Sequence, residues 1–353
     1  MLDAGKSKKP PAPVRPSASI ILLSPTNQIL LLHRVQNSSS FASAHVFPGG
    51  NLSEFHDAPL PKADSLDELH RDGLAYRLAA IRETFEESGI LLARGKDGAL
   101  LQLEDEVRDA GRKEVHGNKV RFGEWVTSVG GEPDVDNLIP FTRWITPAGP
   151  PKRFTTQMYL YMLPLSSSIS SSSPDQTTET IIPTPTHDGG LEHTAATFAP
   201  VSTWLSRARK NDIILFPPQF FLLNLISPFL TSPSPRSTPS PDFYASQRTA
   251  LLEFLQKIPT SKEDPSPLKT HLIPWSEKVI SPTVMFVRQS DKRYVLGLDK
   301  PGPELRGSGR GGDWERVVLV DFRKEGPRDV EVRGRNEVLR EEKEVKEKEE
   351  AKL

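Results

Sequence analysis

Three glutamates in the segment RETFEESGI have the residue type and spacing needed to bind a divalent cation. Glu83, Glu86 and Glu87 follow one another at i, i+3 and i+4, so a helix would place them on one face. Carboxylates this close repel one another, and a hard cation such as Mg²⁺ or Mn²⁺ removes that repulsion while accepting oxygen ligands. A solvated glutamate-rich helix face is the plainer interpretation of the same three residues.

A glycine-containing turn upstream adds weight to the metal-binding interpretation. The stretch His45-Val46-Phe47-Pro48-Gly49-Gly50 predicts a tight turn whose backbone carbonyls are exposed. Because glycine has no side chain, a ligand can approach the backbone closely there. The turn and the glutamate segment together form a compound pattern that rarely arises by chance. His45 is expected to be a structural loop residue rather than a catalyst.

The glutamates require a helix that buries its other side. Such a helix is predicted over residues 71–88, with an apolar stripe formed by Leu74, Leu78, Ile81 and Phe85. Gly89 follows where a helix would end, and residues 90–92 predict a strand. At about 100° per residue the three glutamates lie opposite the stripe, so the helix can pack on one side and present carboxylates on the other.

Composition excludes several other classes. The chain has 353 residues, 33 prolines and no cysteine, with a net charge of −1. A disulfide framework, a thiolate metal site and a cysteine nucleophile are therefore excluded, and no general attraction to nucleic acid is expected. No apolar run is long enough to span a membrane. The glycine-rich sequence at 307–312 precedes a predicted strand, which favours a hairpin loop over a dinucleotide-binding turn.

The turn and the glutamate segment together resemble the signature of the Nudix hydrolases, G-x5-E-x7-R-E-U-x-E-E-x-G-U. Gly50 corresponds to the opening glycine, and the second half of the signature is matched by Arg82, Glu83, Glu86, Glu87, Gly89 and Ile90. The stretch from Gly50 to Arg82 is more than twice as long as the signature allows, so residues are inserted there. The two positions that the spacing gives to the first glutamate hold His56 and Leu74, and neither is acidic.

An inserted signature is typical of one branch of the family, the peroxisomal coenzyme A diphosphatases, which this sequence resembles. The resemblance extends to LLLHR…FASAHVFPGG, to RWITP…RF-T-x-x-Y (Arg143 to Tyr159) and to Pro217–Gln219, and it covers about residues 17–229. It implies an α/β Nudix fold, an α/β/α sandwich around a mixed sheet. Disordered insertions and a small α+β C-terminal extension would accompany that sandwich.

The resemblance also implies roles for particular residues. The metal ligands for Mg²⁺ or Mn²⁺ would be Glu83, Glu86, Glu87 and the carbonyl of Gly49, and the catalytic residues would be Glu83, Glu86 and Arg82. Glu83 is either a further ligand or the base that orients the attacking water. Arg82 is expected to hold the loop and the helix together through ion pairs or loop carbonyls. Weaker candidates for substrate binding are Arg34, Arg153 and Glu192, the last also as a late metal ligand or base.

The implied reaction is the hydrolysis of a nucleoside diphosphate linked to another group. For coenzyme A or acyl-coenzyme A the products would be 3′,5′-ADP and (acyl-)4′-phosphopantetheine, with Lys152, Arg153 and Arg143 as conjectured sources of charge for the 3′-phosphate. ADP-ribose, NADH or a capped RNA end are alternative substrates. A catalytically silent Nudix-fold binding protein is an alternative of another class, and the presence of all three glutamates disfavours it.

The expected organisation has five parts. They are a flexible arm (1–16), a Nudix domain (17–229) with a Ser/Pro-rich disordered insertion (166–190), a linker (230–242), an α+β extension (243–335) and a charged helical tail (336–353). The arm lacks the apolar region of a secretory signal. The final Ala351-Lys352-Leu353 resembles a peroxisomal import signal, so we expect the import receptor as a partner and the peroxisome as the location, with cytoplasm or mitochondrion as alternatives.

Overall fold

The computed structural model describes residues 11–35, 43–165, 186, 193–233, 239–262 and 264–351. The strands are β1 (Val14–Leu23), β2 (Ile29–Arg34), β3 (His45–Val46), β4 (Gly49–Asn51), β5 (Ala93–Gly95), β6 (Gly131–Pro133), β7 (Ile139–Ile145), β8 (Arg153–Met162), β9 (His193–Ala199), β10 (Val279–Ile280), β11 (Thr283–Val287), β12 (Tyr294–Leu298), β13 (Asp313–Arg323) and β14 (Gly326–Gly334). The α-helices are α1 (Glu54–Asp57), α2 (Leu66–Leu69), α3 (Leu74–Ser88), α4 (Asp105–His116), α5 (Phe122–Ser128), α6 (Val201–Arg209), α7 (Pro217–Ile226), α8 (Pro241–Gln256) and α9 (Arg335–Glu350).

The main sheet is mixed, and its strands lie in the order β10-β7-β8-β1-β2-β3. Strand β1 runs parallel to β8 and antiparallel to β2, while β4 pairs with β1 and β9 with β2. The arm expected to reach residue 16 ends earlier, because β1 pairs with β8 from Val14 onward. Pro16 lies inside this strand without an N–H, and its carbonyl accepts a hydrogen bond from the Leu52 N–H at 3.1 Å.

Helices cover both faces of this sheet. In β1 the side chains alternate, so Ile20 and Leu22 pack against α3, α4 and α5, whereas Ile21 and Leu23 pack against α6, α7 and α8. Both faces are apolar because both are covered. This arrangement confirms the predicted α/β/α sandwich around a mixed sheet.

Helix α3 begins at Leu74 and ends at Ser88, with Gly89 in the left-handed conformation at φ +73°. The predicted apolar stripe is wrong at its first residue, since Leu74 is 58% exposed. The helix instead buries a broad face that includes Ala75, Ala79 and Ala80. Small side chains let the helix lie close to the sheet. Residues 90–92 are buried but form no strand, and the strand that follows, β5, begins only at Ala93.

The C-terminal part of the chain shares its core with the rest. Strand β10 extends the main sheet by pairing with β7, and Leu251, Trp275 and Leu298 belong to the same apolar cluster as α6 and α7. A separate antiparallel sheet in the order β11-β12-β13-β14 packs against α9. The glycine-rich sequence at 307–312 leads into β13, as predicted. No helix in the described part of the chain combines the length and apolar character needed to cross a membrane.

Candidate active site

The turn at Pro48-Gly49-Gly50 is fixed to the central strand of the main sheet. The Ile20 N–H and the Ser19 hydroxyl both donate to the Pro48 carbonyl, at 2.9 and 2.7 Å. Gly49 has a φ of +153°, and a Cβ at this position would lie 2.3 Å from the Ala18 carbonyl oxygen. A residue with a side chain does not fit there, so glycine is what allows the turn to lie against β1.

Gly50 has a different function, because it makes room for a carboxylate. A Cβ on Gly50 would lie 2.5 Å from Cδ of Glu83 and 2.6 Å from its Oε1. The side chain of Glu83 therefore packs directly on the backbone of the turn. The two halves of the candidate signature, which are far apart in sequence, meet at this contact.

Arg82 joins the loop to the helix through four different residues. Its Nε and Nη2 donate to the two carboxylate oxygens of Asp57 at 3.1 and 2.9 Å. Its Nη1 donates to Glu83 Oε1 at 2.8 Å and to Glu86 Oε1 at 2.9 Å. Its Nη2 also donates to the Asn51 carbonyl at 3.0 Å. Arg82 is buried, and these bonds compensate for the desolvation of its charge.

Asp57 is the partner of Arg82 that the sequence analysis did not identify. The signature spacing pointed to His56, and Asp57 follows it directly in α1. A carboxylate one residue beyond the expected position was the available signal. The Ser53 N–H donates to Asp57 Oδ2 at 2.8 Å, which fixes the carboxylate at the end of this short helix.

Glu86 and Glu87 have separate partners. Glu86 Oε2 lies 3.0 Å from Nδ1 of His116. Glu87 Oε2 accepts a hydrogen bond from the Gly49 N–H at 2.8 Å, and its Oε1 lies 3.6 Å from Nε2 of the buried His193. Both carboxylates are largely buried, with side-chain exposures of 9% for Glu86 and 7% for Glu87.

This cluster is short of positive charge. Within the described part of the chain, the carboxylates of Asp57, Glu83 and Glu86 share one guanidinium, that of Arg82. Burial raises the pKa of Glu83 above its ordinary value, and the charges of Glu86 and Asp57 raise it further, although Arg82 opposes them. An additional cation would relieve this excess, and carboxylate oxygens are the ligands that Mg²⁺ and Mn²⁺ prefer.

The donor set therefore fits a divalent ion by its chemistry and its charge. Among the described residues, however, no three Asp, Glu or His side chains stand in an arrangement that already encloses an ion. Glu86 is hydrogen-bonded to Arg82 and His116, and Glu87 accepts a hydrogen bond from the backbone N–H of Gly49. An ion would bind at the remaining lone pairs of these carboxylates or replace one of their partners.

A cavity of about 1230 Å³ opens beside this cluster. From the turn and the helix it is lined by Gly49, Gly50, Glu83 and Glu87, and from β2 by Arg34. Its apolar wall includes Trp144, Phe154 and Met158, and the C-terminal part of the chain contributes 281–284 and 300–303. The volume exceeds the usual range of small-molecule sites, roughly 300–1,000 Å³. The cavity thus combines carboxylates with a mainly apolar wall.

Of the three weaker candidates for substrate binding, one lines the cavity, one does not, and one lies outside the described residues. Arg34 lines the cavity. Arg153 does not line it, because its buried guanidinium donates to the carbonyls of Thr146, Pro147 and Ala12 and pairs with Glu304. Glu192 lies outside the described residues.

The two other conjectured phosphate contacts also lie away from the cavity. Arg143 is buried on the opposite side of the sheet, with its guanidinium 4.5 Å from the ring centre of Tyr76, and neither it nor Lys152 lines the cavity. His45 stacks on His33 at 4.7 Å. Burial, and then the charges of His33 and Arg207, lower the pKa of His45 to about 4. It is therefore neutral at physiological pH, in keeping with a structural residue.

Comparison with known proteins shows what part of this chain is similar to. Residues 61–225 match the family described as the NUDT19 Nudix domain. This segment, just under half of the chain, is similar to a Nudix hydrolase domain. The similarity agrees with the resemblance that the inserted signature indicated.

Two curated relatives carry the name acyl-coenzyme A diphosphatase NUDT19. The Xenopus laevis protein is 28% identical over 245 residues, which are 57% of this chain and 60% of the relative. The Gallus gallus protein is 28% identical over 243 residues, which are 56% of this chain and 60% of the relative. The match thus spans less than two thirds of either relative. A solved Nudix hydrolase from Alicyclobacillus acidocaldarius aligns with a TM-score of 0.44 at 20% identity, covering 60% of this chain and 90% of that one.

Proposed function

We propose that this protein is a divalent-metal-dependent diphosphatase that hydrolyses coenzyme A or its acyl esters. The products are 3′,5′-ADP and 4′-phosphopantetheine or its acyl derivative. The observation that carries the proposal is the cavity, whose wall combines the carboxylates of Glu83 and Glu87 with many apolar side chains. A substrate with a diphosphate in the middle and a long neutral arm matches that distribution of charge.

The comparisons support the same substrate class. Both curated relatives are named acyl-coenzyme A diphosphatases, and the family match covers the segment that contains the glutamates. Members of the Nudix superfamily generally use a divalent metal ion. The proposed ligands here are Glu83, Glu86, Glu87 and the Gly49 carbonyl, with Mg²⁺ or Mn²⁺ as the ion.

The chain's own residues perform the remaining tasks. Arg82 holds the turn and α3 together, so that Glu83 and Glu87 face the same cavity. The bound ion would neutralise the diphosphate and make a water molecule more acidic. Arg34, which lines the cavity at the end of β2, offers a further cation to the phosphate oxygens.

A substrate panel tests this proposal. The full-length protein is incubated with coenzyme A, ADP-ribose or NADH in the presence of Mg²⁺, and the products are separated by chromatography. We expect 3′,5′-ADP and 4′-phosphopantetheine from coenzyme A as the fastest reaction. Preferred turnover of ADP-ribose or NADH would contradict the substrate, and a folded protein without turnover of any of the three would contradict the activity.

We also propose that the protein is imported into peroxisomes. The support is the sequence of Ala351-Lys352-Leu353 alone, since Lys352 and Leu353 lie outside the described residues. A fluorescent protein that carries residues 340–353 at its C-terminus should colocalise with a peroxisomal marker. The same fusion with Leu353 deleted is the control, and equal distribution of both fusions would refute the proposal.

A further inference from the structure

Two basic residues outside the family match line the same cavity as the glutamates. Lys300 and Arg306 belong to the loop that follows β12, and both side chains are exposed to the cavity space. The family match ends at residue 225, so these two residues belong to a part of the chain that the match does not cover. They add positive charge to a wall that is otherwise mainly apolar.

Among the residues that the structure describes, neither Lys300 nor Arg306 takes part in an ion pair. Two carboxylates adjoin these residues in the loop, and each is paired elsewhere: Asp299 with Arg335 and Glu304 with Arg153. Within the described ranges, no carboxylate lies within ion-pair distance of the Lys300 ammonium or the Arg306 guanidinium. Both groups are therefore available for an anionic ligand.

The pairing of the strands places these cations far from the glutamates. The Ser281 N–H donates to the Lys300 carbonyl at 2.8 Å, and Ser281 directly follows β10. The strands from β10 to the turn lie in the order β10, β7, β8, β1 and β4. Four strand spacings, about 19 Å, therefore separate Ser281, the backbone neighbour of Lys300, from the strand that contains Gly49.

The ion pair of Glu304 with Arg153 anchors the same loop to the start of β8. Arg153 is the first residue of β8, where it pairs with Val14 in β1. Gly49 lies opposite Ser19 of the same strand β1, five residues further along, or roughly 16 Å away. The basic loop therefore approaches the cavity from a different side than the glutamate cluster, and Lys300 and Arg306 line the space between them.

We propose that Lys300 and Arg306 form a subsite for a phosphomonoester that the substrate carries apart from its diphosphate. This inference rests on the proposed function and deepens it. A diphosphate held at the glutamates leaves a second anionic group as the ligand that best matches two unpaired cations. In coenzyme A that group is the 3′-phosphate of the ribose, since the pantetheine arm is neutral. The subsite makes the enzyme prefer substrates that carry this phosphate.

Kinetics with two matched substrates test the subsite. Coenzyme A and 3′-dephospho-coenzyme A differ only in the phosphomonoester, so their kcat/KM ratio isolates its contribution. We expect wild type to favour coenzyme A, and Lys300→Gln and Arg306→Gln each to lower that preference by about 10-fold or more, because a charged hydrogen bond is lost. The loss should appear in KM for coenzyme A, while kcat and the kinetics of the dephospho substrate stay near the wild-type values.

Three controls separate a contact with phosphate from a general effect. Lys346→Gln and Arg340→Gln remove exposed charges of the same types on α9 and should leave the ratio unchanged. Lys300→Arg should retain most of the preference. Equal losses for both substrates in Lys300→Gln and Arg306→Gln would overturn the subsite, because the cations would then act on the diphosphate or on the fold.

An equilibrium measurement decides the question even if the proposed reaction fails. Binding of adenosine 3′,5′-bisphosphate and of AMP is measured by calorimetry on the full-length protein without turnover. The subsite predicts tighter binding of the bisphosphate by wild type and a loss of this difference in the double variant Lys300→Gln/Arg306→Gln. Equal affinity of wild type for both nucleotides would overturn the inference, whatever the catalytic activity.

Discussion

The guanidinium of Arg82 and the carboxylate of Asp57 form a two-point ion pair, with Nε–Oδ1 and Nη2–Oδ2 distances of 3.1 and 2.9 Å. Asp57 is fully buried, and the pair ties the short helix α1 to α3 across 25 residues. The same guanidinium also donates to Glu83 and Glu86. The position of the two glutamates thus depends on a residue inside the inserted segment.

Asp57→Ala should destabilise the protein, because it leaves a buried guanidinium with fewer partners. Removing one partner of a buried ion pair costs about 3 kcal/mol in the free energy of unfolding. Urea denaturation followed by tryptophan fluorescence measures this change. Asp64→Asn, an exposed residue of the same inserted segment, is the control and should shift the midpoint little. An unchanged midpoint in Asp57→Ala would contradict the structural role of the pair.

Gly50→Ala should lower activity far more than stability. The added Cβ would lie 2.5 Å from Cδ of Glu83, so the carboxylate must move away from the turn. A displacement of about 1 Å at a reacting group costs on the order of 100-fold in rate. Gly123→Ala in α5 meets no atom within 4 Å and is the matched control. Equal coenzyme A hydrolysis by both variants would show that Glu83 does not need its observed position.

The second half of the signature could be recognised in the sequence because its glutamates lie close together in one helix. The i, i+3, i+4 spacing of Glu83, Glu86 and Glu87 predicted one helix, and α3 carries all three. The partner of Arg82 could not be derived in the same way. Insertion of residues between the turn and α3 removed the fixed spacing, and the carboxylate that pairs with Arg82 is an aspartate one residue beyond the position expected for a glutamate.

Trp275→Ala should destabilise the whole chain, because the C-terminal part belongs to the main core. Trp275 is buried, with its ring centre 5.9 Å from that of Phe141 in β7 and 5.6 Å from that of Phe254 in α8. Loss of a buried aromatic side chain costs about 3–5 kcal/mol. We expect one cooperative unfolding transition, shifted to lower urea. A second transition, with the first unchanged, would show that the C-terminal part unfolds independently.

The contribution of the C-terminal part to the cavity had no local signal in the sequence. Its strands and α8 were predicted from periodicity, yet the sequence was interpreted as a separate extension. The pairing of β10 with β7 joins residues more than 100 positions apart, and Lys300 is bonded to Ser281, which directly follows β10. Hydrophobic periodicity shows that a segment has a buried face but does not identify the surface that covers it.

Stability should fall as the pH decreases from about 6.5 toward 4, in part because of His70. Burial, followed by the charge of Arg143, lowers the pKa of His70 in the folded protein to about 4. In the unfolded chain the pKa is about 6.5, so between these values the unfolded state binds more protons and is favoured. The contribution of His70 is fully present above pH 6.5 and is lost as the pH falls through 4.

His70→Asn isolates this contribution. At pH 5 the protonation of His70 in the unfolded chain is worth about 2 kcal/mol, so the variant should lose less stability than wild type between pH 7 and pH 5. Urea midpoints at the two pH values give the comparison. An identical pH dependence in both proteins would show that His70 is not held neutral by the fold.

The central claim is that Glu86, as part of the cluster around Arg82, supports metal-dependent hydrolysis of coenzyme A. The most direct measurement is the rate of 3′,5′-ADP release by wild type, Glu86→Gln and the exposed control Glu114→Gln on α4, with Mg²⁺ and with EDTA. We predict release that requires Mg²⁺, falls by about 100-fold or more in Glu86→Gln, since a metal contributes several kcal/mol to the barrier, and is unchanged in Glu114→Gln. Equal rates in all three proteins, or full activity in EDTA, would contradict the claim.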